Sequence, residues 1–218
     1  HVAEKKGWKT SIGVNGMKQD NTNKGIEQLI PDYNLFDFGT YAYTKKEIKK
    51  ITISGGIRYD TRNIDVKNLL DGNAIKGTAF KKSFSNISGS IGLAAQATDK
   101  LNFKLNIARG FRAPSIPELA SNGAHEGTNR YEYGDAGLKS ETSLQFDGGF
   151  DYSAEHLSIG ISSFYNRFSN FIFYSKLEAA GGGDSLVNVN GDIIPAFKFN
   201  QRKASLAGFE AKLDIHPH

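Results

Sequence analysis

The side chains best suited to binding a ligand lie in one polar stretch of the sequence, residues 122–127. It contains His125 beside Glu126, and a neutral imidazole is a common ligand of transition metals and of haem iron. The neighbouring residues Arg130, Tyr131, Glu132 and Tyr133 could engage an anionic or aromatic ligand. The sequence thus predicts a ligand-binding group in which His125 is the metal ligand: His125, Glu126, Arg130 and Tyr131. The alternative, in which His125 only packs or caps a loop, stays open.

Catalytic chemistry finds little support in the sequence. Ser115 and Ser121 lie near His125 along the chain, but nothing fixes them in hydrogen-bonding geometry. Residues 181–184 read Gly-Gly-Gly-Asp and lack the Lys-Ser/Thr of a phosphate-binding loop, so we expect a flexible loop tip. The absence of cysteine excludes a thiolate metal site and a disulfide framework. We therefore predict that the protein is not an enzyme and holds no tightly bound cofactor.

The elements that would position these residues are strands. Apolar and polar residues alternate with a period of two throughout the chain, and helical periodicity is nearly absent. In one such stretch Ile51, Ile53 and Ile57 are separated by polar or small residues. The alternation predicts eight strands, with a short turn at Lys46-Glu47 before the third. They lie at about 8–16, 35–45, 48–60, 84–98, 101–108, 142–152, 157–171 and 202–215.

The connections between these strands alternate between long and short. The long ones cover residues near 17–34, 61–82, 110–141 and 172–201. Outer-membrane barrels show this alternation, with short turns at the periplasmic rim and long loops outside the cell. Many of the strands also approach the ~9–11 residues that cross a bilayer with tilt. The pattern predicts an all-β fold of antiparallel transmembrane barrel strands, with all four long loops extracellular.

The two faces of the predicted strands differ in chemistry. One face carries Ile, Leu, Phe and Val and suits lipid, whereas the other carries Asn, Lys, Gln, Arg, Asp and Ser and suits a wet lumen. No apolar run approaches the ~20 residues of a membrane helix, which excludes helical spans. Aromatic residues near strand ends would either form interfacial girdles or reflect ordinary β-propensity. They are Tyr41, Tyr43, Tyr59, Tyr165, Phe171, Phe173 and Tyr174.

The net charge and the ends of the chain bear on nucleic-acid binding and on whether the chain is part of a longer protein. The net charge of +4 is modest and basic residues are interspersed with acidic ones, so nothing indicates nucleic-acid binding. The chain begins at His1, without an initiating Met or a signal peptide, and stops directly after a strand. These features predict an internal piece of a longer protein.

A second group of candidate residues marks the end of the fifth strand. Arg109 and Arg112 flank Phe111 where the chain leaves the predicted sheet, and Pro114 and Pro117 stiffen the exit and end the ladder. The two guanidinium groups are predicted mainly to anchor the structure by holding loop carboxylates. They could instead contact an anionic chelate or a lipopolysaccharide phosphate.

Four segments of the sequence resemble motifs of the TonB-dependent outer-membrane receptors. Residues 108–119 contain Phe-Arg-Ala-Pro and resemble the FRAP box. Residues 134–141 resemble the second box, usually Gly-Asn/Asp-x-x-Leu-Lys-Pro-Glu, although Ser140 replaces the proline. Residues 55–60, Gly-Gly-Ile-Arg-Tyr-Asp, and 208–210, Gly-Phe-Glu, are similar to two strand motifs of the family. The box residues expected to be structural are Arg109, Phe111, Arg112, Ala113, Pro114, Leu138 and Glu141.

The resemblance implies a barrel of about 22 strands with a plugged lumen, driven by TonB and the proton-motive force in the outer membrane of a Gram-negative cell. Residues 1–218 would form a partial barrel domain that lacks the plug and has no transport activity alone. The implied cargo is a siderophore-bound iron, haem or another metal complex. The implied partners are the TonB complex and outer-membrane lipid. Haem- and zinc-uptake receptors carry a loop His between the same two boxes, which implies a ligand role for His125.

Three other interpretations compete with a receptor fragment. A self-contained eight-stranded barrel could act as an adhesin or a structural protein, since eight strands can close. An outer-membrane hydrolase would need paired acids with His, or a Ser–His pair, at the outer rim. A soluble lipid-binding barrel would hold its apolar face inward.

Overall fold

Strands make up nearly all of the regular structure in the computed structural model, which describes residues 2–25 and 28–216. In chain order they are β1 (Val2–Lys5), β2 (Trp8–Asn21), β3 (Tyr33–Ile48), β4 (Ile51–Val66), β5 (Leu69–Asp71), β6 (Ala74–Gly77), β7 (Phe80–Gln96), β8 (Leu101–Arg112), β9 (Asn122–His125), β10 (Arg130–Tyr133), β11 (Glu141–Ser153), β12 (Leu157–Lys176), β13 (Leu186–Val189) and β14 (Asp192–Ile215). Helix α1 (Ile116–Ala120) and a 3-10 turn (Glu126–Thr128) complete the set. Within the described ranges, no helix is long and apolar enough to cross a membrane.

Eight long strands form the main sheet, in the order β2-β3-β4-β7-β8-β11-β12-β14. Each pairs antiparallel with its neighbours, which confirms the prediction of about eight antiparallel strands in an all-β fold. The strands run from 12 residues in β8 to 24 residues in β14. They exceed the predicted lengths mainly beside the long connections, because those polar segments still pair through their backbones.

The turn between β3 and β4 lies later than the sequence suggested. Lys46 and Glu47, predicted to form the turn, instead pair within the sheet with residues of β4. The chain reverses at Lys49-Lys50, where Lys49 adopts a left-handed φ of 53°. The favoured two-residue hairpin turns need a left-handed residue, so the backbone of Lys49 sets this register.

The strand register separates a face that is mainly apolar from a face that is mainly polar and charged. Ile91 in β7 opposes Ile107 in β8, which in turn opposes Phe146 in β11. The opposite face carries polar pairs such as Asn106 with Asp147. The hydrophobic side chains of the first face are exposed, and Ile91 is 70% accessible. We call these two surfaces the apolar face and the polar face.

Only part of the predicted aromatic girdle lies on the apolar face. Tyr59 and Tyr165 occupy that face, each opposite an apolar residue of the next strand. Tyr41 lies on the polar face, where the Arg58 guanidinium sits 6.0 Å from its ring centre. Tyr174 stacks on a loop arginine instead. Strand propensity, rather than a membrane interface, therefore accounts for Tyr41 and Tyr174.

The four long connections lie at one end of the sheet, and the hydrophobic core forms there on the polar face. Ile116 and Leu119 of α1 fold over strand side chains that include Ile64 and Phe84. Each of these four side chains is at most 7% exposed. The connection that follows β8 is thus a packed structure rather than a mobile loop.

The β9–β10 hairpin extends the sheet beyond its last strand. Its two strands are antiparallel, and β10 pairs in parallel with residues 196–198 of β14. On its other side, the backbone N of Asn122 donates to the backbone O of Leu29 at 2.9 Å. Leu29 lies in the connection that leads into β3, so the hairpin joins the last strand to the connection between β2 and β3.

Candidate ligand-binding site

His125 is held by an acidic side chain of the neighbouring hairpin strand. Its Nδ1 lies 2.9 Å from Oε1 of Glu132, and Nε of Arg130 donates to the same oxygen at 2.6 Å. Glu132 is almost fully buried, at 4% exposure, whereas the His125 side chain is 43% accessible. The imidazole is therefore anchored through Nδ1, and Nε2 is the nitrogen through which it can bind a ligand.

Glu132 keeps its negative charge in this setting. Burial acts to raise the pKa of its carboxyl group, but hydrogen bonds and positive charge from His125 and Arg130 outweigh burial, so the pKa is lowered. An ionised carboxylate at Nδ1 favours the tautomer that carries its proton there. The same contact fixes the orientation of the ring, as carboxylate partners of metal-binding histidines do.

Arg130 lies between this carboxylate and an aromatic pair. Its guanidinium carbon is 4.4 Å from the ring centre of Tyr174 and 5.8 Å from that of Phe197. The two rings meet edge to face, with centres 5.8 Å apart. The Arg130 side chain is only 19% accessible. The contacts of Arg130 therefore orient Glu132, and through it His125, rather than presenting a cation to solvent.

Tyr131 lies on the other side of β10 and ties the hairpin to a second connection. Its hydroxyl donates to Oδ1 of Asn122 at 2.9 Å, and Nδ2 of Asn122 donates to the backbone O of Lys76 at 2.7 Å. Burial raises the pKa of the Tyr131 hydroxyl. The structure thus brings His125 and Arg130 together and turns Tyr131 away from them.

The site offers a metal few protein ligands. Among the residues that the structure describes, no group of three or more His, Asp or Glu side chains is placed to hold a metal ion. The side chain of Glu126, a predicted ligand, lies outside the described part of the structure. His125 can therefore supply one nitrogen to a metal whose other ligands come from a chelate, but the described side chains do not form a cage for a bare ion.

Arg112 fixes the start of the connection that carries His125. Its Nη1 donates to both carboxylate oxygens of Glu118, at 2.9 and 2.8 Å, and its Nη2 donates to Glu141 at 3.2 Å. Glu118 also accepts the backbone N–H of Ser115 at 2.7 Å, as part of the capping box of α1. One guanidinium thus joins the end of β8, the helix and the start of β11.

Other box residues pack beneath this ion-pair network. Pro114 is fully buried, Leu138 is 4% exposed in the core, and Ala113 packs against the core. Glu141 accepts a further hydrogen bond, at 2.9 Å, from the backbone N of Ile172 in β12. Phe111 is half-buried at the end of β8. These contacts hold the connection after β8 against the end of the sheet.

Arg109 has a different position from the other box residues. Its register neighbours are Gly89 and Leu144, which place it on the apolar face, and its side chain is exposed. It donates through Nη1 to Oδ1 of Asn86 at 2.7 Å and to the backbone O of Ile87. In the described part of the chain it contacts no loop carboxylate, in contrast to Arg112.

Sequence reasoning did not identify Glu132 as the partner of His125. The contact depends on the β9–β10 register, which no motif specifies. A signal was present nonetheless, since residues 130–133 read Arg-Tyr-Glu-Tyr and alternate as a short strand does. The aromatic partners Tyr174 and Phe197 come from strands distant in sequence, and nothing near Arg130 indicates them.

Sequence comparison identifies relatives of this chain. A model of the TonB dependent receptor-like β-barrel family matches residues 7–216. The ferric enterobactin receptor of Pseudomonas aeruginosa is 31% identical over 144 residues, a match that covers 60% of this chain and 18% of that protein.

Solved structures of transport receptors share the fold. The hemophore receptor HasR of Serratia marcescens, solved as a double mutant with its hemophore HasA and heme, has a TM-score of 0.74 at 17% identity and covers 94% of this chain. The copper transporter OprC has a TM-score of 0.73 at 16% identity over 97% of this chain. The FrpB iron transporter of Neisseria meningitidis has a TM-score of 0.65 at 16% identity over 100% of this chain.

The chain corresponds to only part of each of these proteins. It spans 18% of the curated relative and 36%, 33% and 32% of the three solved structures. The family model nevertheless matches nearly all of its residues, and the fold agrees with that match. This chain belongs to the TonB-dependent receptor family, as part of the β-barrel.

Proposed function

We propose that the full-length protein is an outer-membrane receptor that imports an iron chelate, haem or another metal complex by TonB-dependent transport. The observation that carries the proposal is the exposed apolar face of the eight antiparallel strands, which suits contact with lipid. The named relatives act on ferric enterobactin, heme, copper and iron, which supports this class of cargo. The family consists of transport receptors rather than enzymes, so no covalent step is proposed.

The strand pairing favours a segment of a larger barrel over a self-contained one. In the described residues, β2 pairs with β1 and β3, and β14 pairs with β12, β10 and β13, so the two ends of the main sheet do not pair with each other. Further strands of the full-length protein would continue from these edges. The polar face would then line the lumen, the long connections would face outside, and TonB would act through a region beyond this chain.

We further propose that His125 contacts the metal centre or the aromatic plane of the cargo from the outer mouth. The imidazole is half exposed, its Nδ1 is held by Glu132, and its Nε2 is the nitrogen left to face a ligand. A haem iron, or a metal whose chelate leaves one coordination position open, can accept one protein nitrogen. The outward position of the long connections supports access by such a ligand.

The test of this role is His125→Ala in the full-length receptor. We expect the affinity for haem or a ferric siderophore to fall at least about tenfold, because a direct contact with the metal or the aromatic plane of the cargo is lost, while the amount of receptor at the cell surface stays unchanged. The measurement is a titration of the purified receptor with each complex, followed by tryptophan quenching and haem absorbance. His156→Ala, in a short turn at the opposite end, is the matched control. Unaltered affinity in His125→Ala for every complex would reject the role.

The transport proposal has a separate test. Cells that express the full-length protein should accumulate the bound metal complex only when TonB is present and the proton-motive force is intact. Equal accumulation after the force is collapsed would contradict TonB-dependent transport and favour an adhesive or structural barrel.

A further inference from the structure

Two arginine side chains stand at the same level of the apolar face. Arg109 in β8 opposes Leu144 in β11, and Leu144 opposes Arg167 in β12. Directly opposed residues of neighbouring strands share one face of a sheet, so both guanidinium groups lie on the apolar face with Leu144 between them. Two strand spacings place their backbones roughly 10 Å apart.

Their level corresponds to the outer boundary of a bilayer core. From the short turns to this row, the strands advance by roughly nine to eleven residues, the length that crosses the hydrocarbon core with tilt. The two stretches are Leu101 to Arg109 in β8 and Leu157 to Arg167 in β12. The apolar-face residues along both stretches are uncharged, and the row below the arginines holds Ile107, Phe146 and Tyr165.

Neither guanidinium is neutralised by a carboxylate in the described parts of the chain. Arg109 donates through Nη1 to two uncharged oxygens, those of Asn86 and Ile87. Arg167 has no side-chain hydrogen bond or ion pair to any described residue. At the outer boundary of the bilayer core, a lipid-facing arginine can extend its guanidinium into the headgroup region and meet an anionic group there. Two unneutralised cations in one row therefore indicate an anionic partner outside the protein.

A groove beside Arg109 supplies an apolar surface for the same partner. It is open to the outside, with a volume of about 940 Å³. Its walls include Ile57, Ile87, Ile91, Ile107 and Leu144, and Arg109 lies on the side nearest the long connections. Ile91 is 70% and Ile57 is 59% accessible, so the walls of the groove are not covered by other described residues.

We propose that Arg109, Arg167 and this groove bind a bisphosphorylated, multiply acylated glycolipid of the outer leaflet, with the chemistry of lipid A. The planar fork of arginine matches phosphate oxygens in pairs, and an acyl chain fits the groove. Phosphates at the two ends of a disaccharide can meet cations on either side of Leu144. A phosphatidylethanolamine headgroup has one phosphate and its own ammonium group, so it leaves a guanidinium unneutralised.

The inference rests on the proposed outer-membrane orientation and is independent of the cargo. The test uses the purified full-length receptor in detergent, with native mass spectrometry to count bound lipid. The probes are bisphosphoryl lipid A, monophosphoryl lipid A and phosphatidylethanolamine, each titrated separately. The variants are Arg109→Gln and Arg167→Gln. The matched control is Lys104→Gln, which removes a cation from the polar face of the same strand as Arg109.

We expect bisphosphoryl lipid A to bind most tightly, monophosphoryl lipid A less tightly and phosphatidylethanolamine least. Each arginine variant should lower the affinity for bisphosphoryl lipid A by about tenfold, the loss of one charge-assisted contact, and Lys104→Gln should not. Equal binding of all three lipids, or lipid A binding that survives both substitutions, would overturn the proposal. Binding of detergent or a second receptor copy at this face in place of lipid would overturn it as well.

Two features of the test distinguish failure of the lipid proposal from misfolding of a variant and from failure of the proposed transport function. The Arg167 side chain has no hydrogen bond or ion pair to a described residue, so Arg167→Gln carries the test even if Arg109→Gln fails to fold. Uptake of the metal complex, measured on the same variants, should remain at the wild-type level. Loss of uptake with unchanged lipid A binding would overturn the assignment of these arginines to lipid A and would place them in the proposed transport function instead.

Discussion

At the scale of residues, the site around His125 depends on one buried carboxylate. Glu132 accepts from Arg130 and contacts His125, yet it is only 4% exposed. A buried carboxylate is stable in its charged form only while these partners remain, because removing either one leaves an uncompensated charge. The orientation of His125 and the burial of charged Glu132 therefore depend on each other.

This arrangement predicts a pH dependence of the β9–β10 hairpin. The pKa of Glu132 is lowered in the folded protein from its usual 4.5, so its ion pairs stabilise the hairpin fully above that value. The stabilisation is lost as the pH falls through the folded pKa, where the carboxylate takes up a proton. We expect hydrogen exchange at residues 122–133, corrected for intrinsic rates, to accelerate at acidic pH in the full-length receptor.

Glu132→Gln provides the comparison for this experiment. Its hairpin should be less protected at neutral pH and should no longer respond to acid, since the titrating group is gone. Glu178→Gln, at an exposed position of another long connection, should behave as the wild type does. An acid response that persists in Glu132→Gln would assign the effect to another group.

At the scale of elements, the fold of the connection after β8 depends on close backbone approaches. A Cβ at Gly134 would lie 2.5 Å from the backbone N of Ala120 and 2.6 Å from that of Ser121. Backbone atoms at the end of α1 cannot move aside as a flexible side chain can. Gly134, the first residue of the second box, therefore has no side chain at the point where the backbone passes close to the end of α1.

We expect Gly134→Ala to loosen α1 from the core at a cost of about 1–3 kcal/mol, the usual range for an overpacked position. The measurement is hydrogen exchange, together with limited proteolysis, across residues 113–140 of the full-length receptor. Gly127→Ala in the same connection is the matched control, because a Cβ at Gly127 would meet no atom within 4 Å. Equal protection in the two variants would contradict the proposed contact.

The strands were predictable from the sequence, and the hairpin was not. Apolar residues such as Leu101, Phe103 and Leu105 recur at every second position because one face of the strand meets apolar surroundings. This alternation predicted the approximate positions of all eight long strands. The ends of these strands were predicted wrongly because residues near Val66 and Phe80 pair through backbone hydrogen bonds. Backbone pairing does not require an alternating pattern of side chains. The contact of His125 with Glu132 depends on the register between β9 and β10, which the local sequence pattern does not specify.

At the scale of the whole molecule, the two faces of the sheet should respond differently to charge. Leu105 lies on the apolar face and is 59% exposed, whereas Ala108 in the same strand lies on the polar face. Lysine near the middle of a lipid-facing strand costs about 2–4 kcal/mol in barrel stability, and lumen positions tolerate it.

We therefore expect Leu105→Lys to lower the stability of the full-length receptor in lipid vesicles by about that amount, and Ala108→Lys to change it little. The measurement is denaturant unfolding in vesicles, followed by the loss of the barrel form on unheated gels. A larger effect of Ala108→Lys would mean that the apolar face is turned inward, as in a soluble lipid-binding barrel.

The hairpin contact with Leu29 has a geometric consequence for the mouth of the molecule. From β3 to β14 the sheet takes six strand spacings, an arc of roughly 30 Å. From β14 through β10 and β9 to Leu29 the path takes three spacings, a chord of roughly 15 Å. The shorter path limits how far β14 and the connection that leads into β3 can separate at the loop end of the sheet. The hairpin that holds His125 is thus a short cross-connection between the last strand and that connection.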